Sequence, residues 1–468
     1  VLDGPSSLAS SESAVNLLLT FLRTALLCLG LAVLCGGDCA RGEETDIFAA
    51  PIVGGAAQWV VLVNDRVGWR PFAEAGFLGS STVVGNIEAG HVWSGHSVFA
   101  RPPEATSGFT IYPNSSALNE LDWHATMVAN VLAGSGFDGT NYSLVGLGMA
   151  PEAAVLSGSV ATEFSPDVLG AFETTYRSVL TPYRAFMTGD GVPRADVINS
   201  SWSGYGPSAT NAEVVALDGL AAQNPFSALV ASAGNATNQP AGWPGSGFNL
   251  ITVGALSGKT FLEPAAFSSR GLADFYNPQT GITILQARVA VDLAAPGDDL
   301  FLAAYLGNQG GLAAALPGLV QDPPPDDLYF INVGGTSFAS PLVAGGLAIL
   351  KDVANRDPVL GLGGLVFAQD TRVAKSVLMA GALETYGWDN GQAMGPGGEM
   401  VTTMALDRAT GAGAMDMVRS GEAYFSGTRD VAGTSGGVID RKGWDFGTLT
   451  LGALTNIPSA IFLPNRSS

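Results

Sequence analysis

Three residues far apart in the chain, Glu88, His124 and Ser337, are of the types that together can move a proton and attack a carbonyl. A serine hydroxyl is a poor nucleophile until a base takes its proton, so a histidine is expected beside it. The sequence holds His91, His96 and His124 and no other histidine. His124 opens a helical pattern, Ala125 to Leu132, that could carry it across a sheet toward a distant serine. Ser337 lies in Gly335-Thr336-Ser337-Phe338-Ala339-Ser340-Pro341, followed by the apolar run Leu342 to Leu350. That pattern predicts a buried helix with Ser337 at its start and Pro341 in its first turn, where a missing N–H costs little. Free N–H groups and the helix dipole there favour developing negative charge. Glu88 ends an apolar strand, Thr82 to Ile87, where a carboxylate is costly unless it has a partner such as an imidazole. Asp122, two residues before His124, is the fallback acid and reads as a surface residue.

The elements that must position these groups follow the same alternation throughout. Thr82–Ile87, Ala154–Gly158, Asp196–Asn199, Ala228–Ala231 and Ile251–Val253 read as short buried strands, with helical stretches such as Ala212 to Gln223 between them. Strand then helix, repeated, predicts an α/β fold with a mostly parallel sheet and helices on both faces, its chemistry at the carboxyl ends of the strands.

Several motifs resemble, in order, those of the subtilisin-like serine peptidases. The Ser337 string resembles the family's serine motif, and His124-Ala125-Thr126-Met127-Val128-Ala129 its histidine motif, with Ala125 where Gly is usual. Val83 to Gly90 resembles the strand that ends in the catalytic acid, with Glu88 in place of Asp. Ala231-Ser232-Ala233-Gly234-Asn235 resembles the segment carrying the oxyanion-hole asparagine, and Asn199 to Ser203 the strand that binds the substrate backbone. The resemblance implies a subtilisin-like three-layer fold and an endopeptidase. Ser337 would be the nucleophile, His124 the base, Glu88 the triad acid and Asn235 the oxyanion donor. Ser201, Trp202 and Ser203 would bind a polypeptide substrate as an added strand. Two relatives of that reading compete with it. A catalytically inactive scaffold would not need a complete triad, and an acid-active serine-carboxyl peptidase would place Asp where Asn235 stands and lack the histidine base. No cofactor is required by the chemistry. The resemblance suggests a structural calcium ion near Asp138 and Asn141, although calcium wants six to eight oxygens. His91 and His96, five apart beside Glu88, could suggest a metal, but read as binding none.

Composition sets the remaining bounds. The chain has 468 residues, enough for one large domain with extensions, and a net charge of −20 that disfavours nucleic acid. Cys28, Cys35 and Cys39 all lie in the first 40 residues, leaving the rest without a disulfide framework or thiolate nucleophile. The apolar run Thr24 to Leu34 after Arg23 resembles the core of an export signal, and is shorter than the roughly 20 residues of a membrane span. The expected organisation is an export segment over 1–40, an N-terminal extension over 41–74, a catalytic domain over 75–425 and a partial β domain over 426–468. The expected product is a monomer released outside the cell, with no stable membrane insertion.

Overall fold

The computed structural model describes residues 63–426, apart from 104, 106–107, 137–145, 205–209 and 357–364, together with 444 and 446. The export segment, Asp138 and Asn141 lie outside the described residues, as does nearly all of the C-terminal β segment.

Among the described residues, seven parallel strands form the centre of the molecule: β1 (Val83–Glu88), β2 (Phe109–Ile111), β3 (Ala154–Ser159), β4 (Val197–Ser200), β5 (Ala228–Ser232), β6 (Ile251–Ser257) and β7 (Leu293–Pro296). Their order is β7-β6-β5-β4-β1-β3-β2, with the short strand Glu263–Pro264 added antiparallel to β6. The chain builds outward from β1 in one direction through β3 and β2, then returns to its other side for β4 and onward. The strand order therefore reverses at β1 and β4, the place where an open parallel sheet leaves a crevice at its carboxyl edge.

Alternation along each strand assigns residues to the two faces. Val84, Val155, Val197, Val230 and Ile251 point into one core, shared with helices α1 (Trp123–Ala133) and α5 (Thr336–Arg356). Ile87, Leu156, Ile198 and Leu229 point into the other, shared with α2 (Tyr176–Thr188) and α3 (Ala212–Gln223). This gives the three-layer α/β arrangement expected from the sequence.

The helices begin where side chains can take up their free N–H groups. Asp122 caps α1 by accepting from His124 N and Ala125 N, Thr175 and Ser178 form a reciprocal capping box at α2, and Asn211 caps α3. Helix α5 is long and apolar enough to cross a membrane by composition, but it is almost wholly buried, packed against the sheet. It starts at Thr336, so Pro341 is its sixth residue and not part of the first turn. Having no N–H, Pro341 leaves the carbonyl of Ser337, four residues back, without its helical partner.

Packing extends beyond the strands at both ends. Val63, Val67, Trp69 and Phe72 join the α1–α5 core, upstream of residue 75. At the other end Trp444 donates its indole N–H to Tyr424 O at 3.1 Å, and Phe446 stacks on Phe367 at 4.4 Å.

Candidate active site

Face parity decides where Glu88 goes. Val84, Asn86 and Glu88 share the side of β1 that meets α1 and α5, whereas Ile87 faces α2. Glu88 is the last residue of β1 and fully buried, and His124 is the second residue of α1. Its carboxylate Oε2 lies 3.0 Å from His124 Nδ1. The other oxygen, Oε1, accepts the Ser201 backbone N–H at 2.7 Å. Both carboxylate oxygens are therefore committed, and a carboxylate facing Nδ1 favours the tautomer with its proton there, which leaves Nε2 as the acceptor.

Ser337, at the start of α5, is hydrogen-bonded to Ser201 and not to His124. Its hydroxyl donates to the Ser201 carbonyl at 3.0 Å, so one residue holds the acid through its N–H and the serine through its C=O. The rings of His124 and Phe338 are 5.9 Å apart, which brings the first turns of α1 and α5 together. The Ser201 N–H is therefore spent on Glu88, and any pairing of Ser201 with an added strand would go through its carbonyl. Trp202 is almost fully buried, packed edge-on to Phe172 and Trp243, while Ser203 is exposed.

A buried polar network aligns the three elements. Ser340 Oγ donates to Asn199 Oδ1 at 2.7 Å, and Asn199 Nδ2 donates to Ser201 Oγ at 2.9 Å and Asn86 Oδ1 at 3.3 Å. Asn86 Nδ2 in turn donates to Ala125 O at 3.2 Å. Ser340 lies one turn beyond Ser337, Asn86 two residues before Glu88, and Ala125 next to His124, so the network fixes all three against one another.

Thr336 orients Asn235. The asparagine Oδ1 accepts both the Thr336 N–H and its hydroxyl, each at 3.0 Å, while the same hydroxyl accepts Gly234 N–H at 3.0 Å. With its oxygen fixed, the exposed Asn235 has its NH2 group available beside the N-terminus of α5.

Burial and contact act against each other in the Glu88–His124 pair. Burial pushes the Glu88 carboxyl up, and the hydrogen bonds from His124 and Ser201 only partly offset it. For His124 burial is the largest single influence and lowers its affinity for a proton, yet the hydrogen bond and charge of Glu88, with the charge of Asp122, outweigh it and leave the imidazole raised above 6.5. The imidazolium is thus favoured when it forms.

Asp122 is not a surface residue. It is 1% exposed, and besides capping α1 its Oδ1 accepts Gly311 N–H at 2.9 Å from the helix α4 (Gly310–Ala315). A charged residue two before a histidine reads as solvated; its N-cap position is the signal for burial with partners. Asn86, Asn199 and Thr336 also escape a sequence reading of roles, although polar residues inside apolar strands signal an internal partner. His91 and His96 are buried and spend both ring nitrogens within the protein. His91 pairs with Ser157 Oγ and Asn119 Oδ1, and His96 donates to Leu328 O while accepting Val98 N–H.

Residues 104–395 match the sequence profile of the Subtilase family. That stretch contains His124, Asn235 and Ser337 and begins after Glu88. No curated protein matches the chain. Among solved structures, the chain is similar to one described as "Structure of Prenylagaramide maturation protease PagA", with 20% identity and a TM-score of 0.50, over 76% of this chain and 98% of that one. At that identity the likeness concerns the fold.

Proposed function

The chain belongs to the subtilase family and is a serine-type peptidase, and from that premise we propose that it is an endopeptidase whose acid is Glu88, base His124 and nucleophile Ser337. The reaction requires the Ser337 hydroxyl to leave the Ser201 carbonyl, to which it donates at 3.0 Å, and turn about Cα–Cβ toward His124 Nε2. His124 removes the proton as Oγ attacks the peptide carbonyl carbon. The new C–O bond places negative charge on the carbonyl oxygen, which Asn235 Nδ2 and the Ser337 N–H receive. His124 then hands its proton to the departing amine, the C–N bond breaks, and an acyl group remains on Ser337. A water deprotonated by His124 releases the acid product and restores the serine.

The observation that most supports this reading is the junction at Ser201, with the acid on its N–H at 2.7 Å and the nucleophile on its carbonyl at 3.0 Å. We also assign the chain to export, on the strength of the apolar run Thr24 to Leu34 and the confinement of cysteine to the first 40 residues. The direct test is casein digestion with wild type and Ser337→Ala, together with labelling by a fluorophosphonate. Fragments and a label on Ser337 in wild type alone are expected. A wild-type protein that takes no label would instead be a scaffold that displays the fold for binding.

A further inference from the structure

The substrate side chain next to the cleaved bond has a defined place to go. The N-terminus of α5 bridges the ends of two adjacent parallel strands, through Ser337 on Ser201 O after β4 and through Thr336 on Gly234 N–H and Asn235 after β5. A carbonyl carbon bonded to Ser337 Oγ, with its oxygen on Asn235, must send its side chain between the segments 201–204 and 233–235.

That space is narrow. A Cβ placed on Gly242 would stand 3.4 Å from Ser203 Cβ, and one placed on Gly234 would stand 3.5 Å from Ser203 Oγ. Both are van der Waals distances, so no further layer of atoms fits between Ser203 and either glycine. Gly234 has φ +96°, a conformation that keeps this wall free of a side chain of its own. Below Ser203 the gap is closed by the Gly204 N–H bond to Trp243 O at 2.9 Å. The Trp243 indole lies directly against Gly204, where an added Cβ would come within 1.9 Å of Nε1, and it is braced by Trp202 at 5.0 Å. Among the described residues these walls, Ser203, Gly204, Ala233, Gly234, Gly242 and Trp243, carry no charge.

We propose that Ser203 and Trp243 close this pocket to anything larger than a methyl or hydroxymethyl group, so that the peptidase cleaves after glycine, alanine or serine. The inference rests on the endopeptidase reading above and adds its substrate class. A leucine or phenylalanine at that position must displace the Ser203 side chain and press on the Gly204–Trp243 pairing behind it, which overpacks the site.

The test uses blocked tripeptide p-nitroanilides that differ only in the last residue: Gly, Ala, Ser, Leu, Phe or Lys. The expected kcat/KM for Ala and Ser exceeds that for Leu, Phe and Lys by about 10- to 100-fold. Ser203→Gly should raise the Phe-to-Ala ratio at least about tenfold. Ser203→Val, which fills the space further, should lower the Ala-to-Gly ratio and serves should Ser203→Gly not fold. A wild type that cleaves after Phe as well as after Ala, or ratios unmoved in both variants while Ser337 still takes a fluorophosphonate, overturns the pocket alone. Absence of cleavage across the series and of any label on Ser337 overturns both readings.

Discussion

Replacing Glu88 with Gln removes the charge, keeps the shape and forces a choice between two hydrogen bonds. A carboxamide has one oxygen where the carboxylate has two. If that oxygen keeps the Ser201 N–H, the NH2 group faces His124 Nδ1 at about the present 3.0 Å, donor against donor. The imidazole must then move its proton to Nε2, the atom that has to accept from Ser337. If the amide turns over, the working tautomer returns, but the buried Ser201 N–H loses its partner at about 1–3 kcal/mol. The charge-assisted support for the imidazolium, about 1.5–3 kcal/mol, is lost in either case. Together these give about 2.5–6 kcal/mol, or roughly 70- to 25,000-fold in kcat at about 1.36 kcal/mol per decade; the corresponding acid-to-amide change in Ser-His-Asp enzymes costs about 10,000-fold.

The same variant should also change the pH profile. His124 must be neutral to act as base, and its proton affinity is raised, so wild-type kcat/KM should fall as pH drops through a value above 6.5. In Glu88→Gln the raising charge is gone while burial remains, and the acid limb should move down. Glu88→Asp keeps the charge but shortens the reach, so it should lose rate and keep the raised limb. The measurement is kcat/KM on a p-nitroanilide from pH 5 to 9. A Glu88→Gln enzyme within about tenfold of wild type, with its acid limb unmoved, would show that Glu88 does not orient the base.

Asp122→Ala removes the cap of α1, worth about 1 kcal/mol, and strands the Gly311 N–H at about 1–3 kcal/mol, so urea unfolding should report a loss of about 2–4 kcal/mol. Asn199→Ala leaves the Ser340 hydroxyl and the Asn86 carboxamide oxygen without partners. It should lower stability by a similar amount and reduce kcat more than it raises KM, read from steady-state kinetics on the Ala substrate. Burial lowers the proton affinity of His91, so its contribution to stability is full above the unfolded value of 6.5 and is lost as pH falls below it. His124, raised, acts in the opposite sense above 6.5, so the quantity to measure is the difference in Tm between wild type and His91→Gln. That difference should shift in favour of the variant between pH 7 and 5.5.

Much of the architecture is legible because short β-branched apolar runs and helical stretches leave a direct trace in the sequence. The strand ending in Glu88, the helix opening at His124 and the serine at the head of a buried helix stand where those patterns put them. The features that escape depend on hydrogen bonds between distant segments. Nothing in the run Asn199 to Ser203 indicates that the Ser201 N–H is taken by a carboxylate from β1. Asp122 looks like any charged residue in a loop until Gly311, far along the chain, arrives to bond it. Pro341 reads as a first-turn residue because the apolar pattern alone does not mark where α5 begins. The space beside Ser203 depends on the separation of three main-chain segments, a quantity that local patterns do not encode.

The position of Glu88 on β1 also limits how this chain can drift over generations. Deleting or inserting one residue between Val83 and Glu88 would swing the carboxyl group toward Tyr183 and Phe186, away from the imidazole. A two-residue change would restore its direction but displace it by about 6.6 Å, at roughly 3.3 Å per residue. Point substitutions among the apolar residues of β1 can be absorbed one at a time, whereas length changes there extinguish the chemistry in a single event. Descendants that still cut peptides should therefore vary in the composition of this strand and never in its count.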